Sequence, residues 1–413
     1  MEYGLLGEKL VHSFSPMIHE EFGDYNYELI EKNKGEISSF FKERNFKGLN
    51  VTNPYKRIAK QYCDYLDEVS EKTGCVNTVV NKNGKLYGYN TDYYGFLFAL
   101  NRINIRIKEP LFLIVGNGAT SVMAKTVLFD LGYKNIKIVS RRGERNFKDL
   151  DYMSDINILI NCTPLGTYPH ENDDYPIDIR KLKELKAVID LNYNPIRTKL
   201  LLDAERIGCE VHSGLLMLIA QAKKSAELFG IGLNQETAIE EIYCRLRRKL
   251  LNIVFIGMPG SGKTVVGQKI AKKMNRFFVD IDEEIQKEQG MTAEEIILEK
   301  GIEYFRRIEK QIVKNQLLTF SKIISTGGGV IESKENINYL KYNSVVIFLN
   351  RDLNKLETIG RPLSQGGLKG LTKLYNKRNP IYLQESDIVI NNNDEIESAI
   401  NEVLSVYEKN VDN

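Results

Sequence analysis

A phosphate-binding motif near the middle of the chain most constrains what this sequence can fold into. The mainly apolar residues 251–256 predict a buried strand, and a helix-compatible run covers residues 265–273. Between them lies the complete motif Gly257-Met258-Pro259-Gly260-Ser261-Gly262-Lys263-Thr264. Glycines let successive backbone N–H groups point at one anion, the lysine reaches the terminal phosphates, and the threonine hydroxyl reaches Mg²⁺. The dipole of the following helix favours the same phosphates. The motif therefore predicts ATP or GTP binding by Gly257, Gly260, Ser261, Gly262, Lys263 and Thr264.

The bulk composition indicates an ordinary globular chain, without the strong net charge that would attract nucleic acids or membranes. Its 413 residues are enough for two or three domains, 42% of them are hydrophobic, and the formal net charge is +2. The five cysteines are scattered and form no C-x-x-C pair, which favours free thiols in a reducing cytoplasm over a structural zinc site. No signal-peptide pattern is present, and no apolar run approaches the roughly 20 residues of a membrane helix. We therefore expect a cytoplasmic protein without a nucleic-acid or membrane partner.

Short apolar strands alternate with helical stretches through the first hundred residues, which is an α/β pattern. Polar motifs follow the strand ends, where open α/β sheets bind ligands. These motifs are Ser13-Phe14-Ser15, Asn50-Val51-Thr52-Asn53-Pro54-Tyr55-Lys56, Val76-Asn77-Thr78 and Asn90-Thr91-Asp92. They supply hydroxyls, carboxamides, one ammonium group and one carboxylate, which suits a small ligand rich in hydroxyls. The alternative is structural: the serines cap a helix, Lys56 is solvated, and Asn90 and Asp92 belong to turns.

A second α/β unit begins at the uninterrupted apolar residues 111–115, which predict a buried parallel strand. A Gly-rich loop follows, then a helix to residue 131 and a strand over residues 136–139. This context is typical of dinucleotide binding, with Gly116, Gly118 and Ser121 at the cofactor. The second strand ends in Ser140-Arg141-Arg142, and two arginines there favour the 2′-phosphate of NADP. A solvated basic strand end is the alternative.

The four polar motifs of the first hundred residues resemble the S-x-S, N-V-T-x-P-x-K, V-N-T and N-T-D motifs of shikimate dehydrogenases, in the same order and with compatible spacing. The resemblance implies a pocket for 3-dehydroshikimate. The residues that would bind the ring hydroxyls and carboxylate are Ser13, Ser15, Thr52, Asn77 and Asp92. Lys56 would be the general acid, because the ketone oxygen becomes an alkoxide as hydride arrives and a positioned ammonium can protonate it. Asp92 would orient this lysine through an ion pair.

The same resemblance continues in N-C-T-P-L-G at residues 161–166, D-L-N-Y-N-P-I-R-T at 190–198 and G-L-L-M-L-I-A-Q at 214–221. It implies that Thr163 lies beside the nicotinamide of NADPH and that Met217 packs against the cofactor ring. It also implies that Tyr193 and Gln221 lie beside the substrate, and that a helix from about residue 215 packs back on the first domain. The chain departs from the family in its Gly-rich loop, where G-A-G-G-A is usual, and at Thr167, where methionine is common.

Acidic and basic residues after the phosphate-binding motif suit phosphoryl transfer. Asp280 and Asp282 lie two apart in a predicted strand over residues 277–282, so both would point to one face beside the phosphates. One can help hold Mg²⁺ while the other orients or deprotonates an acceptor hydroxyl; an acidic turn is the alternative. Glu309 follows Arg306 by one helical turn and can hold its guanidinium for a substrate anion. A strand then ends in Ser325-Thr326-Gly327-Gly328-Gly329, where the backbone can approach a ligand closely.

From residue 251 to about residue 407 the chain resembles shikimate kinases, through these features together with Gly360-Arg361-Pro362-Leu363 and Arg378-Asn379-Pro380-Ile381-Tyr382. This resemblance implies that Lys263, Thr264 and Asp280 bind ATP and Mg²⁺, with Thr264 and Asp280 as metal ligands. It implies that Asp282 contacts the acceptor hydroxyl and that Arg306 and Arg378 bind the shikimate carboxylate. Gly327, Gly328 and Gly329 would form the pocket wall, and Arg361 would belong to a closing lid. The chain departs from the family at Ile302, where glutamate is usual, and in a short lid without an upstream arginine.

The sequence thus predicts three α/β domains. They are a substrate-binding domain of residues 1–100 and 213–245, a Rossmann NADP-binding domain of residues 101–212, and a P-loop kinase domain with a parallel sheet, residues 250–413. The predicted function is NADPH-dependent reduction of 3-dehydroshikimate to shikimate, followed by ATP-dependent phosphorylation to shikimate 3-phosphate. Two alternatives stay open: a non-catalytic sensor of pathway metabolites, and a quinate dehydrogenase fused to the kinase. The sequence leaves the oligomeric state open.

Overall fold

The computed structural model describes residues 2–11, 13–104, 106–141, 146–147, 153–171, 173, 175–231, 238–356 and 367–412. Contacts within the chain divide it into two compact units, Met1–Tyr243 and Cys244–Asn413. Within the described ranges, every helix is too short or too polar to cross a membrane.

The first unit opens with a mixed six-stranded sheet. Its strands are β1 (Tyr3–Gly7), β2 (Tyr27–Glu31), β3 (Gly48–Val51), β4 (Tyr65–Leu66), β5 (Thr78–Lys82) and β6 (Lys85–Tyr89), in the spatial order β2-β1-β3-β5-β6-β4. Its helices are α1 (Ser15–Glu20), α2 (Ile37–Glu43), α3 (Lys56–Ala59), α4 (Glu68–Thr73) and α5 (Thr91–Leu100). Strands β1 and β3 are parallel neighbours, so the segments that follow them, which carry Ser13 and Lys56, leave the same edge of the sheet.

A second, fully parallel sheet follows in the same unit. Its strands are β7 (Phe112–Val115), β8 (Ile136–Val139), β9 (Ile158–Asn161), β10 (Ala187–Asp190) and β11 (Glu210–Ser213), in the order β11-β10-β9-β7-β8. Helices α6 (Ala119–Asp130) and α7 (Lys199–Arg206) lie between strands in the chain. Alternate residues of β7 enter different cores: Leu113 and Val115 pack in one cluster, Phe112 and Ile114 in another. A parallel strand covered on both faces explains the uninterrupted apolar run.

Helix α8 (Gly214–Leu228) leaves the second sheet and packs on α5 and α1 of the first. The sequence predicted this returning helix from about residue 215. Gly95 of α5 permits the close approach, because a Cβ at that position would lie 2.6 Å from the carbonyl oxygen of Met217 and 2.9 Å from the Cβ of Gln221. One glycine therefore sets the distance between α5 and two predicted site residues. Helix α9 (Ile239–Leu250) follows.

We expect Gly95→Ala to destabilise the first unit by about 1–3 kcal/mol, because the added methyl group forces α8 away from α5. Native-state hydrogen exchange, followed by mass spectrometry, should show faster exchange in both helices. Gly35→Ala is the matched control, since a Cβ at Gly35 meets nothing within 4 Å. Equal protection in the two variants would mean that the helix contact tolerates the methyl group.

The second unit is built on one parallel five-stranded sheet. Its strands are β12 (Asn252–Ile256), β13 (Phe277–Asp280), β14 (Lys322–Ser325), β15 (Ser344–Asn350) and β16 (Ile388–Asn391), in the order β13-β14-β12-β15-β16. Its helices are α10 (Lys263–Met274), α11 (Ile281–Gln289), α12 (Ala293–Lys300), α13 (Ile302–Leu317), α14 (Lys334–Tyr342), α15 (Gly367–Glu385) and α16 (Ile396–Asp412). The five residues of β12 are all buried, as expected for the central strand that precedes the phosphate-binding loop. Gly262 enters α10 with a φ of +94°, a conformation that favours glycine.

The predicted strand over residues 277–282 is wrong at its end. Strand β13 stops at Asp280, and α11 begins at Ile281. The carboxylate of Asp280 accepts a hydrogen bond of 3.0 Å from the backbone N–H of Asp282, which caps the new helix. Asp282 therefore lies in the first turn of a helix, and the two aspartates do not share a strand face.

Candidate active sites

The first unit contains a cavity of about 740 Å³. The segments after β1 and β3, the segment after β10, and α8 all contribute to its walls. Nine predicted residues line it: Ser13, Ser15, Thr52, Lys56, Asn77, Asp92, Tyr193, Met217 and Gln221. The fold thus brings together motifs that are far apart in the chain, as expected if they bind one ligand.

An ion pair forms part of the wall of this cavity. The Nζ of Lys56 is 2.6 Å from Oδ2 of Asp92, and the two side chains are 14% and 11% exposed. The amide of Asn77 donates to Oδ1 of Asp92 at 3.0 Å and to the side-chain oxygen of Gln221 at 2.9 Å. The carboxylate is therefore held from two sides, which fixes the lysine ammonium at the cavity surface.

Hydroxyl groups form another part of the wall. Ser13 donates its hydroxyl to Ser15 at 3.2 Å, and the ring of Phe14 packs 5.3 Å from the ring of Tyr193. Burial raises the pKa of Tyr193 above its usual value, against a smaller effect of a hydrogen bond with Ser13. The phenol is therefore protonated at neutral pH and can donate to a substrate oxygen.

A buried polar cluster that includes two residues of the cavity wall was not predicted from the sequence. Asn50 accepts from the hydroxyl of Tyr27 at 2.7 Å and donates to the hydroxyls of Ser225 and Thr78 at 2.7 and 3.0 Å. The ring of His19, which lines the cavity, stacks on Tyr27 at 3.7 Å. Burial lowers the pKa of His19 to about 3, so this histidine is neutral. Asn50 belongs to a quoted motif, but nothing in the sequence links it to Tyr27 or Ser225.

The predicted cofactor loop joins β7 to α6. Gly116 has a φ of +117°, and a Cβ there would lie 3.2 Å from the Cγ2 of Thr163. The position of a Cβ at Gly118 has nothing within 4 Å, which leaves room for a diphosphate at the start of α6. Ser121 is buried and donates its hydroxyl to the carbonyl oxygen of Gly116 at 2.7 Å, so it stabilises the loop from behind.

The end of β8 fits a phosphorylated ribose. Ser140 is buried, and its hydroxyl has no hydrogen-bond partner among the described residues. Arg141 beside it is exposed, whereas Arg142 lies outside the described residues. An unpartnered hydroxyl next to an exposed guanidinium suits the 2′-phosphate of NADP. Thr163 lies at Gly116 but is not part of the substrate-cavity wall, and its hydroxyl donates to Asn161 at 2.7 Å.

The second unit contains a cavity of about 570 Å³. The predicted residues that line it are Gly260, Gly262, Lys263, Thr264, Asp280, Asp282, Arg306, Gly327, Gly328, Gly329 and Arg378. Gly257 and Ser261 support the loop from outside this wall: a Cβ at Gly257 would lie 2.7 Å from the carbonyl oxygen of Leu349, and Ser261 is fully buried. Arg361 lies outside the described residues.

The phosphate end of this cavity fits a nucleotide with Mg²⁺. Lys263 is buried, and its Nζ donates to the carbonyl oxygens of Gly257 and Met258 at 3.0 and 2.9 Å. The hydroxyl of Thr264 donates to Oδ2 of Asp280 at 2.8 Å. A hydroxyl and a carboxylate side by side are the oxygen ligands that Mg²⁺ prefers beside phosphates.

The opposite end offers groups for an acceptor that carries a hydroxyl and a carboxylate. A Cβ at Gly327 would lie 3.0 Å from Oδ1 of Asp282, and a Cβ at Gly329 would lie 2.2 Å from a terminal nitrogen of Arg306. The Gly-rich segment is therefore in direct contact with both side chains. Arg306 donates to Glu309 at 2.7 Å, and burial raises the pKa of Glu309 against the opposing effect of this arginine.

Two residues of the second unit were not predicted from the sequence as site residues. Arg351 follows β15 and lines the cavity, and its Nε is buried without a hydrogen-bond partner among the described residues. Glu332 contacts Arg378. For Arg351, the available signal was its position at the carboxyl end of a parallel strand. No sequence pattern pointed to Glu332, because its partner lies 46 positions away in the chain.

Two family models match this chain. Residues 5–79 match the shikimate dehydrogenase substrate binding domain, and residues 259–408 match shikimate kinase. The shikimate dehydrogenase (NADP(+)) of Clostridium beijerinckii is 39% identical over 246 residues, which cover 55% of this chain and 91% of that protein. The chain belongs to the shikimate dehydrogenase family. Because a shikimate kinase domain follows, the chain is a fusion of two shikimate pathway enzymes, and both resemblances are confirmed.

Solved structures agree for the dehydrogenase half. A chorismate mutase/shikimate 5-dehydrogenase fusion protein from Clostridium acetobutylicum is 32% identical with a TM-score of 0.56, over 60% of this chain and 97% of that chain. The shikimate 5-dehydrogenase of Thermus thermophilus, in complex with NADP(H) and shikimate, is 27% identical with a TM-score of 0.53, over 59% of this chain and 97% of that one. The predicted α/β fold with parallel sheets is also confirmed.

Proposed function

We propose that this chain reduces 3-dehydroshikimate to shikimate with NADPH and then phosphorylates shikimate to shikimate 3-phosphate with ATP and Mg²⁺. The observation that carries the proposal is the Lys56–Asp92 pair, held at 2.6 Å in a cavity lined by hydroxyls and amides. An ammonium in that position suits ketone reduction, and the second cavity suits phosphorylation of the resulting alcohol. A non-catalytic sensor would be free to lose the catalytic side chains Lys56 and Asp282, and both are present.

In the dehydrogenase half, the chain's own residues bind, orient and protonate the substrate. The hydroxyls and amides of Ser13, Ser15, Asn77 and Gln221 bind the ring substituents. NADPH, when bound, supplies the hydride to the ketone carbon. The ammonium of Lys56 then donates a proton to the oxygen as charge develops on it. Asp92 keeps the ammonium directed at that oxygen, and Met217 provides an apolar wall that excludes water.

In the kinase half, Asp282 orients the acceptor hydroxyl and accepts its proton. Arg306 and Arg378 bind the carboxylate, which fixes the ring relative to the phosphates. ATP with Mg²⁺, when bound, supplies the phosphoryl group. Lys263 and the loop N–H groups stabilise the negative charge on the transferred group, while Thr264 and Asp280 hold the metal.

The two reactions share one oxygen atom. The ketone of 3-dehydroshikimate is at C3, and the phosphate of shikimate 3-phosphate is on the oxygen at C3. Since a ketone oxygen has no proton to lose and cannot accept the phosphoryl group, the first site must act before the second. The order of the reactions therefore follows from the chemistry of the substrate.

The direct test is to incubate the purified chain with 3-dehydroshikimate, NADPH, ATP and Mg²⁺ and identify the products by mass spectrometry. We expect shikimate 3-phosphate, and we expect that omission of NADPH abolishes phosphorylation. Accumulation of shikimate alone would contradict the kinase assignment. Binding of the ligands without conversion would favour a metabolite sensor.

Arg141→Ala is expected to raise KM for NADPH roughly 10- to 100-fold, because a hydrogen bond between a guanidinium and a phosphate is lost. The KM for NADH should change little, since NADH lacks the 2′-phosphate. Initial rates with both cofactors give the comparison. The exposed residue Arg57 provides a control, as Arg57→Ala removes a positive charge elsewhere. An equal change with both cofactors would contradict a contact with the 2′-phosphate.

We also infer the domain division and the compartment. Residues 1–100 and 213–245 would form the substrate-binding domain, residues 101–212 the NADP-binding domain and residues 250–413 the kinase domain. The packing of α8 on α5 and α1 supports the return of the chain to the first domain. The five free thiols support a reducing cytoplasm.

A further inference from the structure

A carboxylate outside the predicted site engages one of the two carboxylate-binding arginines. Glu332 ends the short 3₁₀-helix Val330–Glu332, which follows the Gly-rich segment directly. Its Oε1 accepts from Nε of Arg378 at 2.7 Å and lies 2.7 Å from Nη2 of the same guanidinium. Its other oxygen is 2.9 Å from Nζ of Lys377. One glutamate thus contacts two consecutive basic residues of α15.

The contact with Glu332 restricts which edge of the Arg378 guanidinium an anion can use. Arg378 is 2% exposed and lines the kinase cavity. Glu332 occupies the edge formed by Nε and Nη2, so a substrate carboxylate would have to use the edge that includes Nη1. An arginine side chain has many rotamers, and a partner that fixes one of them prepares the guanidinium for a planar carboxylate.

A second contact attaches the same helix to the same segment. The hydroxyl of Tyr382, one helical turn after Arg378, donates to the carbonyl oxygen of Gly328. Tyr382 therefore attaches α15 to the middle of the Gly-rich segment, and Glu332 attaches it to the short helix that follows. This geometry makes the position of Arg378 depend on the segment that forms the wall of the acceptor site.

Glu332 also carries a negative charge near the place where a substrate carboxylate would bind. Burial disfavours its ionisation, but hydrogen bonds from Lys377 and Arg378 outweigh that effect and lower its pKa. Lys377 offsets the repulsion that Glu332 would otherwise exert on an incoming anion. The same arrangement occurs at Arg306, whose guanidinium is held by Glu309.

We propose that Glu332 is a positioning residue for shikimate recognition, which holds Arg378 so that one edge of its guanidinium is presented to the substrate carboxylate. The proposal rests on the proposed kinase function. Glu332 does not touch the reacting atoms, so it acts on substrate binding and not on the chemical step. Without Glu332, the substrate ring would be oriented mainly by its contact with Arg306 and would be held less firmly.

The test is steady-state kinetics of the full-length chain with Glu332→Gln and Glu332→Ala. We expect KM for shikimate to rise roughly tenfold in Glu332→Gln and further in Glu332→Ala, because one of two guanidinium contacts loses its orientation. The kcat and the KM for ATP should stay within about twofold, as expected when uniform binding is lost. Glu335→Gln is the matched control, since Glu335 is on the next helix and pairs with Lys310 outside the cavity wall.

Shikimate methyl ester separates positioning from a general structural effect. The ester lacks the carboxylate charge, so its KM should be almost insensitive to Glu332→Gln, and the preference of the enzyme for shikimate over the ester should fall about tenfold. An unchanged or lower KM for shikimate would overturn the proposal, and so would an equal rise for acid and ester. Failure of the unsubstituted chain to phosphorylate shikimate would instead overturn the proposed kinase function.

Discussion

Lys56→Ala is expected to lower kcat for reduction of 3-dehydroshikimate about 10²- to 10⁴-fold, which is the usual contribution of a positioned general acid. The proton that Lys56 delivers to the new hydroxyl must then come from water, without the orientation that Asp92 imposes at 2.6 Å. Oxidation of NADPH, followed by its absorbance, measures the rate. Phosphorylation of added shikimate by the same variant should be unchanged, because the kinase cavity has its own set of residues.

Two further measurements make this result specific. Arg57→Ala removes the adjacent basic residue of α3, which is exposed and is not part of the cavity wall, and should reduce as fast as the unsubstituted chain. The KM for 3-dehydroshikimate in the residual reduction by Lys56→Ala tests whether the cavity survives with Asp92 left without its partner. A variant that keeps this KM and still reduces at the original rate would show that another group donates the proton.

The parts of the fold that the sequence predicted well are those specified locally. The strand, loop and helix around Lys263 follow from a short contiguous pattern: β12 is buried throughout, and α10 begins at the lysine itself. The stretch around Gly116 behaves in the same way, with β7 before the loop and α6 after it. In both places the order of strand, loop and helix follows from the contiguous motif, whereas the close contacts of Gly116 with Thr163 and of Gly257 with Leu349 depend on the tertiary structure.

The predicted substrate-binding and catalytic residues of the first unit meet in one cavity for a different reason. Ser13 and Lys56 follow parallel neighbouring strands, and such strand ends share one edge of a sheet. Gln221 reaches the same place only because α8 returns to the first sheet, and this return depends on the close contact at Gly95. The motif pattern indicated that these residues belong together, whereas the packing of helices explains how.

The misses arise where the partner of a side chain is distant in sequence or where capping competes with strand pairing. An aspartate such as Asp280 can end a strand or begin a helix. Here its carboxylate accepts a hydrogen bond from the backbone N–H of Asp282, and this bond stabilises the start of the helix. The contact of Glu332 could not be predicted from the sequence, because its partner Arg378 lies on α15. Asn50 lay inside a quoted motif, yet its contacts with Tyr27 and Ser225 come from a strand and a helix outside it.

Asp282→Asn is expected to lower kcat for shikimate phosphorylation about 10²- to 10⁴-fold, because the amide cannot accept the proton of the acceptor hydroxyl. The KM for ATP should change little, since the nucleotide end of the cavity is built by Lys263, Thr264 and Asp280. Formation of ADP in a coupled assay gives the rate. Reduction of 3-dehydroshikimate by the same variant should proceed normally, so shikimate should accumulate when both reactions are run together.

The position of Asp282 at the start of α11 allows its effect on catalysis to be separated from its effect on stability. Because the residue lies in the first turn of α11, its substitution removes a charge at a helix N-terminus, which by itself costs only about 0.3–1 kcal/mol of stability. Glu288→Gln removes another exposed acid from the same helix, away from the cavity wall, and should keep full kinase activity. A kcat within about twofold of the original in Asp282→Asn would exclude Asp282 as the proton acceptor. The remaining rate would then come from Lys263 and the loop N–H groups, which stabilise the phosphoryl group without a protein base.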